Sequence, residues 1–191
     1  MKITAMVAAM AAVGAWAGDA GPTPERTVTV CVDRGINGPL AHRAKGVASK
    51  MFAEIGVRID WRFSQGCPVG GGVIAINFSY NASDDRFPGA FAYALPFEGT
   101  HIVVFYDRVQ RRVDPARMPL LLAHVLVHEI TPILEGTKWH SASGIMKAQW
   151  DHGDYVDMAR KSLGFTRKDV ELIYLGLDAR ESRLVAAATA Q

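Results

Sequence analysis

The sequence predicts an α/β domain built on a mixed, twisted sheet. Three observations carry this. Val57-Arg58-Ile59-Asp60-Trp61-Arg62-Phe63 alternates apolar and polar residues, the period of a half-buried strand. Just before it, Ala44, Val47, Ala48, Met51, Phe52 and Ile55 recur at three- and four-residue steps, the spacing of a helix with one apolar face. Residues 120–135 form a second and more apolar helical stretch.

In chain order, Thr27-Val28-Thr29-Val30-Cys31-Val32 alternates as a first strand, and the helix over residues 40–55 stops at Gly56. With the strand at 57–63 this makes a strand-helix-strand unit, so the two strands should pair in parallel. Gly70-Gly71-Gly72 precedes a short strand at 73–78 and reads as a flexible turn, because no helix follows it to complete a phosphate loop. Residues 81–89 are polar and loop-like. Phe91 to Pro96 reads as an edge strand, where a terminal proline is tolerated. His101 to Asp107 has the continuous apolar centre of a buried strand.

Asp114-Pro115 offers a helix cap followed by proline, Pro119 offers a later start, and the helix over 120–135 should stop at Gly136. Two helices are expected beyond Trp150, at 155–163 and 167–177. The second is capped by Thr166, with Asp169 three residues on in the capping-box position.

A chain of 191 residues suits one domain, and 49% hydrophobic residues supply a sizeable core. The expected layout is a signal peptide at 1–17, a lead-in at 18–26, one domain at 27–178 and a flexible tail at 179–191. A net charge of +2, with no Lys/Arg block, excludes a phosphate-binding surface and a nucleic-acid partner. Met1-Lys2, a short apolar run and Ala15-Trp16-Ala17 have the layout of an export signal cut after Ala17, so the product should be periplasmic or secreted. No later stretch reads as long and apolar enough to span a membrane. Cys31 and Cys67 would meet oxidising conditions there. They read either as two unrelated buried thiols or as a disulfide worth on the order of 3–4 kcal/mol.

The chemistry-bearing segment is His124-Val125-Leu126-Val127-His128-Glu129-Ile130-Thr131-Pro132, followed by His140 and Gly144-Ile145-Met146. In an intact H-E-x-x-H helix, two imidazoles one turn apart hold Zn²⁺ and the glutamate acts as base on the metal-bound water. Here Pro132 stands at the second imidazole position. It supplies no ligand, and in a helix interior it removes an N–H and should bend the axis at a cost of about 3 kcal/mol.

Each residue has two readings. His128 is a metal ligand or a hydrogen-bonded core histidine. Glu129 is a general base or a carboxylate paired with His128, His124 or Lys138. His140, past the helix-ending Gly136, can return to the metal, with Trp139 packing over the site. His124 is the substitute ligand, although it lies one turn to the wrong side of His128. Glu135 shares the face of His128 but sits two turns away. Met146 is a floor beneath the metal or an apolar core plug. His42 and His101 have no spacing partners, and His152 is a remote ligand candidate.

At these residues the chain resembles the zincin metallopeptidases, in particular the metzincin-like branch with a methionine turn after the active-site helix. It also resembles small bacterial exported zincin-like proteins with the pattern H-x-x-x-H-E-I-T-H-x-L-Q-G, then His-Ser and G-x-M-K. Here those positions are His124, His128-Glu129-Ile130-Thr131, Leu134, Gly136, His140-Ser141 and Gly144-Ile145-Met146-Lys147. Pro132 replaces the second ligand, Glu135 stands where that group tends to have Gln, and the third His comes two residues late. The resemblance implies a sheet with a backing helix, an active-site helix, a Met-containing turn and C-terminal helices. It implies a zinc peptidase acting on peptide or protein substrates, weakened or inactivated by the lost ligand. The rival is a metal-free peptide-binding protein on the same scaffold, with the edge strand at Phe91 to Leu95 adding an extended peptide to the sheet.

Overall fold

The structure is a computed structural model. It describes residues 26–33, 35–36, 38–68, 72–81, 87–95, 98 and 100–189. The signal segment, nearly all of the lead-in, Gly70 and Gly71, and Pro96 lie outside the described residues.

One sheet runs in the order β2-β1-β3-β5-β4. Strand β1 (Arg26–Val32) pairs in parallel with β2 (Val57–Phe63), the crossover being helix α1 (Gly38–Ala53). On its other side β1 pairs in parallel with β3 (Ile74–Ser79), which pairs in parallel with β5 (His101–Phe105). Strand β4 (Ala92–Ala94) closes the sheet antiparallel to β5 and is the edge strand the sequence predicts.

Alternation decides which face is covered. Val28, Val30, Val57, Ile59, Ile74, Ile76, Ile102 and Val104 are buried, whereas Arg58, Asn77 and His101 point outward. The apolar face of α1, with Ala44, Ala48, Met51 and Phe52, packs against this core beside helix α3 (Met118–Glu135). Phe52 is fully buried, which stabilises the fold by roughly 1.5–3 kcal/mol relative to leaving it exposed. Helix α5 (Arg167–Thr189) packs against α3. A Cβ on Gly176 would sit 1.9 Å from the Leu134 carbonyl, so only glycine lets the two helices approach this closely.

Several boundaries differ from the sequence reading. Strand β5 stops at Phe105, and residues 106–112 form an unpredicted helix, α2 (Tyr106–Arg112), held by an Asp107–Arg111 pair at 2.8 Å. Asp114 makes a turn, accepting from the N–H groups of Ala116 and Arg117, and α3 begins at Met118 with Pro119 in its first turn. Helix α4 (His152–Arg160) starts earlier than expected because Asp151 and Asp154 form a complete capping box. The Thr166–Asp169 box at the start of α5 is formed as predicted.

Helix α5 also continues through residues 179–189, where the sequence predicts a flexible tail. Arg26 pairs with Asp178 and Glu181, and Arg180 donates to the Gly72 carbonyl at 3.0 Å, which ties this segment to the domain. Helix α3 runs unbroken through Pro132 and ends at Gly136, whose left-handed φ of 67° lets its N–H reach the Pro132 carbonyl at 2.9 Å. By length and composition α3 qualifies as a membrane span, contrary to the expectation that none follows the signal; 78% of it is buried inside the domain. Cys31 and Cys67 are joined as a disulfide with Cα atoms 6.0 Å apart.

Candidate functional site

Helix α3 and the turn after it build the site. Ser141 donates its N–H to the Met146 carbonyl and Ile145 donates to the Gly164 carbonyl, both at 2.9 Å, which folds residues 141–147 back beneath α3. Gly144 is required there: its φ is 75°, and a Cβ would lie 2.4 Å from the Gly164 carbonyl. Met146 is fully buried and belongs to the core.

This turn orients the central imidazole. His128 Nδ1–H donates to the Ile145 carbonyl at 2.8 Å, so Nε2 keeps its lone pair. Burial lowers the pKa of His128, which keeps the ring neutral and competent as a ligand. Trp150 meets it edge-on with centroids 5.3 Å apart, and its indole N–H points to the same Ile145 carbonyl.

His140 is exposed, with its ring centroid 5.4 Å from that of His128 and the planes 32° apart. Two imidazoles sharing a tetrahedral zinc would have centres about 3 Å from the ion, hence about 5 Å from each other. The structure brings together His128, His140 and Glu129, all lining one cleft, with Pro132 also in its wall. Glu129 is half-buried, and burial pushes its carboxyl up to about 8. It forms no ion pair with His124 or His128.

His124 does not join them. It is fully buried, its Nδ1 donates to the Leu120 carbonyl at 2.7 Å, and its Nε2 accepts the Leu163 N–H at 3.1 Å. Both ring nitrogens are committed, so the substitute-ligand role is corrected to a structural one. Glu135 points away from the cleft into the α3–α5 contact, where burial, then the charge of Asp169, pushes its carboxyl up to about 8. His42 and His152 are exposed outside the cleft, and His101 pairs with Glu98.

Catalytic zinc sites ordinarily use three protein ligands. Among the described residues no group of three His, Cys, Asp or Glu side chains is arranged to hold a metal. The spacing of the two ring centroids matches that of imidazoles sharing an ion, but two imidazoles are one donor short of a catalytic centre.

The opposite side of the cleft was only half legible in the sequence, which predicts its edge strand but not its helix. Edge strand β4 forms one wall, and α2 sends Arg108, Arg111 and Arg112 toward it. Their spacing of three and four residues was the available signal, hidden because residues 101–107 read as one strand.

The parallel sheet with its antiparallel edge strand, the helix carrying His128-Glu129 and the buried methionine turn together form a zincin-like fold. No family profile and no curated protein sequence matches the chain. Among solved structures it is similar to the crystal structure of archaemetzincin from Methanopyrus kandleri. The TM-score is 0.58 and the identity 16%, over 83% of this chain and 99% of that one. The likeness concerns the fold.

Proposed function

We propose that this chain is an exported, peptidase-like protein of the zincin fold whose cleft holds an extended peptide and whose hydrolytic activity is weak or absent as the chain stands. The observation that supports it is the cleft itself, about 860 Å³, with edge strand β4 on one side and His128, Glu129 and His140 on the other. An edge strand presents unpaired backbone groups that an extended peptide satisfies by strand addition. The peptide would then lie across the place where a zincin carries its metal. With two protein ligands, zinc affinity is poor, which favours binding over turnover.

Native mass spectrometry of the mature chain, beginning at Gly18, tests this together with the Pro132→His variant. The expected result is no stoichiometric zinc in the first, and one zinc with new peptide hydrolysis in the second. A full zinc equivalent in the unaltered chain, lost in His128→Ala, would overturn the weakened-site reading in favour of a working enzyme. A Pro132→His chain that gains neither zinc nor hydrolysis would show that the scaffold has left peptidase chemistry altogether.

A further inference from the structure

The cleft carries more positive charge than a general peptide groove needs. Arg108, Arg111 and Arg112 reach it from α2, and Lys138 and Lys147 from the turn side. Among the described residues Glu129 is the only carboxylate in its lining.

The cations have different duties. Arg108 is buried and donates to the carbonyls of Phe87 and Ala90 at 2.6 and 2.7 Å, which pins the rim loop in place. Arg111 is matched by Asp107, and Lys147 by Asp151 and Asp154. Arg112 is exposed, and its guanidinium lies 4.5 Å from the centre of the Tyr155 ring, which also lines the cleft. A ring face orients the planar guanidinium without using its N–H groups, leaving them for an incoming carboxylate. Among the described residues no carboxylate forms an ion pair with Arg112.

We propose that Arg112, held on Tyr155, is a specificity determinant that selects peptides presenting a carboxylate at this end of the cleft. The proposal rests on the peptide-binding reading above and names its substrate class. A guanidinium takes a carboxylate through two parallel hydrogen bonds, so the preference is for acidic peptides or for a free peptide C-terminus.

The test uses the full mature chain and fluorescence anisotropy with a labelled decapeptide containing glutamates, its Gln-substituted isostere, and C-terminally amidated forms of both. The carboxylate-bearing peptide should bind about tenfold tighter than the peptide lacking it. Arg112→Gln should erase that difference, and Arg167→Gln, outside the cleft, should preserve it. A preference lost on glutamate replacement assigns the carboxylate to side chains; one lost on amidation assigns it to the C-terminus. Equal binding of all four peptides, or a preference that survives Arg112→Gln, overturns this proposal and leaves the peptide cleft standing. Binding of none of them overturns both.

Discussion

His124 and Leu163 are joined by a 3.1 Å hydrogen bond in which the imidazole Nε2 accepts the backbone N–H, while Nδ1 donates to Leu120 within the helix. The ring thus pins the segment between α4 and α5 onto α3. Burial lowers its pKa and holds it neutral, the only state that can donate from one nitrogen and accept at the other.

His124→Ala should therefore be a stability variant. It leaves a buried N–H unpaired and opens a void in the core, a combined loss of roughly 2–4 kcal/mol. Urea denaturation should show that loss, and zinc titration of a Pro132→His background should be unaffected by it. A His124→Ala chain of normal stability with weakened zinc binding would return His124 to the ligand set.

This pairing also shows where sequence reading stops. Strand β2 was legible from end to end, because Val57 and Ile59 alternate with the exposed Arg58 on a half-buried surface. His128 and Glu129 were legible from the His-Glu pair of a metal helix, and His140 from its place beyond the helix-ending Gly136, where the chain can turn back. The structural duty of His124 was not, since its acceptor role depends on an N–H 39 residues away. Helix α2 was hidden by an apolar run that continues from strand into helix at Phe105 and Tyr106. The span of α3 was legible to its end at Gly136 even though local propensity penalises Pro132; burial of its neighbours Ile130, Ile133 and Leu134 holds the helix together.

Pro132→Ala tests that compromise. Alanine restores a backbone N–H that can pair with the carbonyl of His128, four residues back, and removes the interior-helix penalty of about 3 kcal/mol. Some ring packing is lost, so a net gain of about 1 kcal/mol is expected. Thermal unfolding should show a raised midpoint without any gain in zinc content. A lowered midpoint would mean that the proline ring contributes more by packing than it costs in the backbone.

The Cys31–Cys67 bridge ties β1 to the segment after β2 across 36 residues. Reduction should add the mass of two hydrogens and lower stability by about 3–4 kcal/mol on the loop-entropy scale. Denaturation midpoints with and without reductant measure this. Coincident midpoints would show that the unfolded chain gains no freedom from opening this loop, against the loop-entropy account.

Glu135 supplies the pH dependence. Both of its carboxyl oxygens are buried without a hydrogen-bond partner among the described residues, and its pKa rises from 4.5 to about 8. Between those values the unfolded chain releases a proton that the folded chain keeps. Stability should therefore fall as pH rises from about 5 to 8, by at most about 1.4 kcal/mol per unit, and level off once both states are ionised. Glu129, likewise pushed up to about 8 by burial, adds a slope of the same sign. Glu135→Gln should remove about half of the total slope. It should raise the unfolding free energy at pH 8 while changing it little near pH 5. Urea curves at those two pH values decide the matter: an unchanged slope in the variant would place the ionisation elsewhere and leave Glu135 charged in the folded chain.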